Sequence, residues 1–361
     1  MAFMKPVLKK EVNLGLSNLR IVLQAVPKFG KTTTFAKLVL EEYGDPAKGL
    51  LIGVGNEYGY SLIDNLQVSH CTTFGEMLEL KKWLIEGKVK KEHEIQLIGV
   101  DTVDELIPMV EDYVCKLSEK ETRKPCPSIN ASFGGFGRGQ AKVKELVKDY
   151  FSDLYRAGFG IIVIGHTKLK TVVEKASISE EGYQTLTSNL PNTYATLLAD
   201  IFDVIATGYI DKNIVDGRVE SSIRKLQLRG DSFVEAGTRF TNDSIPEYIV
   251  FDGDNDAKKF LDVLKTGMRG SSSKPLTDAQ AKEMEERQKI EADKKANEYI
   301  TDKIEADDKE NKAELLEEIK ALATTTEARK KLTEYMKAGN VSKVGDFTVE
   351  QLKEVKEALT R

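Results

Sequence analysis

The chain has 361 residues, of which 40% are hydrophobic, so it can bury one large core or two modest ones. Its three cysteines lie far apart without CxxC spacing, which argues against a disulfide framework or a cysteine zinc site. The net charge of −5 excludes an overall basic character, but much of the acid follows residue 275, so a nucleic-acid partner stays open.

The N-terminal residues 1–10 carry lysines but are not followed by an apolar segment as long as that of a signal peptide. The apolar runs elsewhere are of strand length, too short to cross a membrane. We therefore expect a cytoplasmic protein with no membrane partner.

From about residue 19 to about residue 210, short apolar runs alternate with stretches of helical period. This pattern predicts an α/β fold with a mostly parallel central sheet covered by helices. The predicted strands are 19–25, 50–54, 95–100 and 160–165. The predicted helices are about 31–43, 73–86, 102–119 and 139–157.

The first predicted strand and helix are joined by Gln-Ala-Val-Pro-Lys-Phe-Gly-Lys-Thr-Thr, residues 24–33, which has the Walker A pattern of a P-loop. Phosphates need inward-turned backbone N–H groups, a helix N-terminus and a lysine that reaches the β and γ oxygens. We expect Lys31 to serve binding and catalysis, Thr32 to offer its hydroxyl to Mg²⁺, and Thr33 to contact the α-phosphate of ATP. The predicted nucleotide-binding residues of the loop are Ala25, Val26, Pro27, Lys28, Phe29, Gly30, Lys31, Thr32 and Thr33.

Ala25 stands where the motif has its first glycine. Alanine lacks the freedom of glycine at positive φ, so the entry to the loop must use ordinary backbone dihedrals.

An acidic turn, Gly-Asn-Glu-Tyr-Gly at residues 55–59, follows the second predicted strand. Hydrolysis needs a group that orients or deprotonates the attacking water, and a carboxylate beside the γ-phosphate can do so. Glu57 is our candidate for that catalytic role. The alternative is a solvated glutamate in a glycine turn.

The third predicted strand runs directly into Asp101, as in a Walker B motif. A carboxylate at the C-terminal end of a strand that neighbours the P-loop can hold a water bound to Mg²⁺, so we predict Asp101 as a metal residue together with Thr32. The alternative is an aspartate that caps the next helix.

The fourth predicted strand ends in Gly-His-Thr-Lys, with His166 at the same edge of the sheet. Ligands collect at the C-terminal ends of strands in such sheets, so His166 or Thr167 is a candidate sensor of the γ-phosphate. A histidine that simply bonds a backbone carbonyl is the alternative.

After residue 202 the pattern changes to strand-like pieces at 202–209, 218–228 and 248–251, which we expect to extend the sheet mainly as antiparallel strands. We predict a core at 1–266, a linker and charged helix at 267–312, and a small helical C-terminal module at 313–361.

Taken together, these elements resemble the phage nucleotide-binding proteins with a RecA-type core, which include the ATP-dependent single-strand annealing proteins of phages. The resemblance covers about residues 19–251. It rests on the P-loop at 25–32, the acidic turn at 55–59, Asp101, His166 and the late segments 226–231 and 235–240.

The resemblance implies that Glu57 is the catalytic glutamate and that a late basic residue, Arg239 or Arg229, reaches the ATP of a neighbouring subunit. It also implies a homo-oligomer that binds and anneals single-stranded DNA in recombination or replication, in the host cytoplasm if the chain is encoded by a phage.

Two predicted loops have a composition suited to single-stranded DNA, because basic groups follow phosphates and aromatic rings stack on bases. Residues 118–139 contain Arg123, Lys124, Phe133, Phe136 and Arg138, and residues 167–192 contain Lys168, Lys170 and Lys175. A mobile lid or a solvated face is the alternative.

Two other functions stay open: a remodelling ATPase of the AAA class, such as a helicase loader, and a DNA-binding structural protein that uses ATP only to control assembly. The C-terminal module is a candidate docking site for a single-strand binding protein.

Overall fold

The computed structural model describes residues 14–172, 182–215, 218–241, 244–271, 277–339 and 341–360. The strands are β1 (Arg20–Ala25), β2 (Gly49–Val54), β3 (Val68–Cys71), β4 (Leu97–Asp101), β5 (Gly160–Val172), β6 (Tyr183–Ser188), β7 (Val204–Val215), β8 (Arg218–Gln227), β9 (Gly237–Thr238) and β10 (Tyr248–Phe251). The helices are α1 (Lys31–Tyr43), α2 (Phe74–Lys90), α3 (Val103–Thr122), α4 (Arg138–Arg156), α5 (Asn192–Ile201), α6 (Asp256–Gly270), α7 (Asp278–Leu322), α8 (Thr326–Ala338) and α9 (Val349–Thr360).

These strands form one sheet in the order β10-β8-β7-β1-β5-β4-β2-β3, with β6 paired to β5 and β9 paired to β7. The strands from β7 to β3 in this order run parallel to one another, whereas β8, β10, β6 and β9 pair antiparallel to their neighbours. The predicted α/β fold, a mostly parallel sheet extended by antiparallel strands, is confirmed.

Strand β5 lies between β1 and β4, so the aspartate strand is not the direct neighbour of the P-loop strand. All three are parallel, and their C-terminal ends meet at one edge of the sheet. Asp101 therefore lies beside the P-loop, as predicted, although β4 is not paired directly with β1.

The parallel strands are buried because helices cover the sheet. Every residue of β2 and β4 is buried, and so are Ile161–Ile164 in β5. Phe35 and Leu38 of α1 are fully buried in the same core as Leu23 of β1, which holds the helix that follows the P-loop firmly against the sheet.

Residues 167–192, predicted as a loop, contain more regular structure than expected. Strand β5 continues past His166 to Val172 and pairs with β6 in a hairpin, and α5 begins at Asn192. Lys175 lies outside the described residues. In the other predicted loop, α3 continues to Thr122 and a short helical turn covers Ile129–Gly134.

The chain divides into two compact units, Met1–Ala296 and Asn297–Arg361. The first contains the sheet and α6, which packs on α1. The second is helical, as predicted for the C-terminal region, and its core is formed by Leu315, Ile319, Phe347, Leu352 and Val355. The limits predicted at residues 266 and 312 stay a prediction. No helix in the described ranges is long and apolar enough to span a membrane.

Candidate nucleotide site

The P-loop forms the turn between β1 and α1. Gly30 has φ 101° in the left-handed region and immediately precedes the helix, a conformation that glycine adopts without steric cost. Lys28 also has a positive φ of 63°. The side chain of Phe29 is buried and its ring packs on Phe251 at 5.3 Å, which anchors the middle of the loop.

Ala25 is the last residue of β1 and is fully buried, with backbone dihedrals that are not among the positive-φ residues. Ala25 therefore enters the loop with ordinary backbone dihedrals, as predicted for an alanine at the first glycine position of the motif. Its neighbour across the ladder is Gly208 of β7, where an added Cβ would lie 2.8 Å from the Ala25 Cβ and 2.7 Å from the Phe29 ring. Gly208 thus makes room for both side chains.

Lys31 opens α1 and is buried. Its ammonium group donates hydrogen bonds to the carbonyl oxygens of Ala25 at 3.3 Å and Val26 at 3.5 Å, both long enough to be given up for a phosphate. Burial lowers the pKa of Lys31, an effect that the nearby charges of Asp101 and Glu57 oppose.

Thr32 and Asp101 meet although they are 69 residues apart: the Thr32 hydroxyl donates to Asp101 Oδ2 at 2.7 Å. Burial raises the pKa of Asp101 to about 6, although the Thr32 hydrogen bond lowers it. Asp101 is not the cap of α3, whose N-cap position is Thr102. The two oxygens are hard ligands of the kind that Mg²⁺ prefers, so these residues fit the predicted metal.

A cavity of about 320 Å³ joins the predicted residues, with Lys28, Gly30, Lys31, Thr32, Thr33, Glu57, Asp101 and His166 among its lining. The Glu57 carboxylate accepts a hydrogen bond from the Gly59 N–H at 2.9 Å, so part of its acceptor capacity holds the acidic turn. His166 Nδ1 lies 3.3 Å from the Asp104 carboxylate, which is a different partner from the carbonyl that the alternative supposed.

A second cavity, of about 280 Å³, shares Gly30 and Thr33 with the first. Arg224 of β8 lines it and donates from Nη1 to the Phe29 carbonyl oxygen at 3.2 Å, while its Nη2 pairs with Asp256 at 3.4 Å. Sequence reasoning missed Arg224, because most residues of β8 are polar and nothing local links this arginine to the P-loop.

Arg239 lies away from the P-loop of its own chain. It follows β9, which pairs with the first residues of β7, at the edge of the sheet opposite the P-loop. Its guanidinium bonds Asp203 at 2.8 Å and the Asp200 carbonyl oxygen at 2.6 Å. The expectation that Arg239 binds the nucleotide therefore cannot refer to the site of the same chain.

In the segment 128–138, the phenylalanines at positions 133 and 136 have an unusual backbone conformation. Residues 133–137 all have positive φ, including Phe133 at 51° and Phe136 at 56°, although such values cost non-glycine residues about 1 kcal/mol or more. Ser118 Oγ holds the Phe133 N–H at 2.8 Å, and Arg138 donates to the Phe133 carbonyl oxygen at 3.1 Å. The Phe136 side chain is 99% exposed.

Two lysines of β5, Lys168 and Lys170, form hydrogen bonds within the chain. Lys168 Nζ donates to the carbonyl oxygens of Asn189 and Leu190, and Lys170 Nζ donates to Asn192 Oδ1. These lysines are therefore less suited to phosphate contacts than the sequence suggested.

A model of the AAA domain family matches residues 17–240, more than half of the chain. The chain is also similar to the crystal structure of a KaiC-like protein from the hyperthermophilic archaeon Pyrococcus horikoshii OT3. That match has 12% identity and a TM-score of 0.34, and it covers 68% of this chain and 100% of the other. The comparison with curated proteins gave no match.

Proposed function

Because the chain belongs to the AAA domain family of P-loop ATPases and its site binds ATP, we propose that it hydrolyses ATP with Mg²⁺. We further propose that it acts on single-stranded DNA in phage recombination, annealing or replication. The observation that carries the ATPase proposal is the 2.7 Å contact between Thr32 and Asp101 in the cavity that Lys31 and Glu57 also line.

The chain's own groups suit the binding of a triphosphate. Backbone N–H groups at the start of α1 and the Lys31 ammonium bind the phosphate oxygens, and Lys31 exchanges its two long carbonyl bonds for them. Thr32 and Asp101 would hold Mg²⁺, which when bound neutralises charge on the β and γ phosphates. We assign the nucleoside part of ATP to the second cavity, because it shares Gly30 and Thr33 with the first.

Glu57 is the proposed group that orients and deprotonates the attacking water. It lies in the same cavity as Thr32 and Asp101, on the turn that follows β2. Its carboxylate accepts from the Gly59 N–H through Oε1, and Oε2, which has no hydrogen-bond partner among the described residues, can accept from a water molecule.

The proposal of single-stranded DNA is supported by the segment around Phe136. An exposed aromatic ring on a hydrogen-bonded, left-handed backbone is a suitable stacking platform, because every base has a π-face. The exposed residues Arg123 and Lys124 precede this segment and Arg138 ends it. Their charges can contact phosphates, in Arg138 through the guanidinium N–H groups that do not bond the Phe133 carbonyl oxygen.

We further propose a homo-oligomer in which Arg239 reaches the ATP of a neighbouring subunit, since it cannot reach its own. This role requires that Arg239 give up its bonds to Asp203 and Asp200. The second compact unit is the proposed docking site for a single-strand binding protein.

The test is ATP hydrolysis by the purified protein with and without single-stranded DNA, beside Lys31→Ala and Glu57→Gln. We expect DNA to stimulate a turnover that both substitutions abolish, with ATP binding kept by Glu57→Gln. Fluorescence anisotropy with a labelled oligonucleotide then compares Phe136→Ala with Ile290→Ala, which removes another exposed apolar side chain. Only Phe136→Ala should weaken binding.

The AAA family match also favours a second candidate, a remodelling ATPase such as a helicase loader. ATP turnover that is indifferent to DNA, together with unchanged anisotropy in the wild type, would support this candidate and refute the DNA proposal. Against it, the strands β8 and β10 extend the sheet after the P-loop core, where a loader of that class has a helical lid.

A further inference from the structure

Asp104, in the first turn of α3, joins three separate segments of the chain through one carboxylate. Its Oδ2 accepts the backbone N–H of His166 at 2.8 Å and lies 3.3 Å from His166 Nδ1. Its Oδ1 accepts from the side-chain amide of Asn189 at 3.0 Å. Helix α3, the middle of β5 and the turn after β6 therefore meet at this group.

The same turn is tied to β5 by a second set of bonds. The Asn189 N–H donates to the His166 carbonyl oxygen at 2.9 Å, and Lys168 Nζ donates to the carbonyl oxygens of Asn189 at 2.9 Å and Leu190 at 3.2 Å. A shift of His166 would therefore reach the turn after β6 through Asn189, and Lys168 of β5 bonds the same turn at Asn189 and Leu190.

The other end of this network is the nucleotide cavity. The His166 side chain is about one-third exposed and lines that cavity with Thr32 and Glu57. Because Nδ1 faces Asp104, the carboxylate favours the proton on Nδ1 and leaves Nε2 as the ring nitrogen available to a ligand.

Asp104 is well suited to accept all three bonds. Burial raises the pKa of its carboxyl, but the hydrogen bonds from His166 and Asn189 outweigh this and hold the pKa below its ordinary value. The group is thus a carboxylate at neutral pH, and charged acceptors make the stronger hydrogen bonds.

We propose that Asp104 is a positioning residue that holds His166 towards the γ-phosphate and, through Asn189, couples the nucleotide state to the hairpin of β5 and β6. The coupling rests on the proposed ATPase function. A ligand can shift the hairpin only if its contacts with His166 differ between the triphosphate and the diphosphate, and a γ-phosphate provides that difference.

The test uses the full chain and two variants of the network, Asp104→Asn and the exposed Asn189→Ala. The matched control is Tyr194→Phe, which removes a 2.6 Å bond to Glu111 just beyond the same turn but outside the network. Amide hydrogen exchange of residues 167–172 and 183–188 is compared between a non-hydrolysable ATP analogue and ADP, both with Mg²⁺, and kcat and KM are measured for ATP.

In the wild type and in Tyr194→Phe, we expect the hairpin to exchange differently with the two nucleotides. In both network variants that difference should be lost. Asp104→Asn should also lower kcat about tenfold with little change in KM, as expected when a hydrogen bond to a charged group is lost in the transition state.

A wild type that does not hydrolyse ATP would overturn the proposed function itself. A wild type that hydrolyses ATP but has the same hairpin exchange with both nucleotides would overturn only the coupling. The coupling also fails if Asp104→Asn keeps the nucleotide difference, or if Tyr194→Phe loses it to the same extent.

Discussion

Replacing Asp101 with asparagine should stabilise the nucleotide-free core while destroying the metal site. Burial raises the Asp101 pKa from 3.8 to about 6, so the folded chain carries a poorly solvated charge at neutral pH. The shift corresponds to about 2 to 3 kcal/mol of lost unfolding free energy. Asparagine has no charge and keeps an oxygen that accepts from the Thr32 hydroxyl.

The direction in which stability changes with pH follows from the numbers of protons bound by the folded and the unfolded chain. Between pH 3.8 and about 6 the folded Asp101 is protonated and the unfolded one is not, so the wild type loses stability as the pH rises through this window. The Asp101→Asn variant lacks this loss. Its advantage should be small near pH 4 and reach its full value above pH 7.

Urea unfolding without Mg²⁺, at about pH 4.5 and about pH 7.5, measures the effect. Trp83 in α2 is the only tryptophan of the sequence, so its fluorescence reports on the first compact unit. Asp104→Asn is the matched control with the opposite expectation, because hydrogen bonds hold the Asp104 pKa below its ordinary value and loss of that carboxylate should destabilise the core at pH 7.5.

A buried charge at Asp101 does not limit stability if Asp101→Asn is no more stable than the wild type at about pH 7.5, or if its advantage is equally large at both pH values. In the second case the gain would come from packing and not from relief of a buried charge.

Three further predictions concern the P-loop and the water-orienting residue. Glu57→Gln should lower kcat at least about a hundredfold while equilibrium ATP binding, measured by calorimetry, stays near that of the wild type. Arg224→Ala should weaken ATP binding about fivefold, because the 3.2 Å bond to the Phe29 carbonyl oxygen is lost, whereas Lys225→Ala in the next position should not. Gly208→Ala should destabilise the core by about 1 to 3 kcal/mol in urea unfolding, because the added Cβ would lie 2.7 Å from the Phe29 ring, and Gly237→Ala, where the Cβ has open space, should cost less.

Much of the parallel sheet could be predicted because its signals are local. The buried strands β1 and β4 contain short apolar runs, residues 21–23 and 97–100, and the helices between them have a clear period. Strand β6 was missed because most of its residues are half-exposed and polar, so the sequence has no apolar alternation there. Its pairing with β5 is visible only in three dimensions.

The sequence by itself determined the P-loop and the acidic and polar residues at the ends of β2, β4 and β5. These depend on residues next to one another in the chain, and parallel strands bring their C-terminal ends to one edge. The tertiary structure decided which distant residues support them. The antiparallel register of β8 brings Arg224 to Phe29 across 195 positions, the ladder of β7 sets Gly208 beside Ala25, and β9 leaves Arg239 at the far edge. Strand order and register arise from non-local packing, which no local pattern encodes.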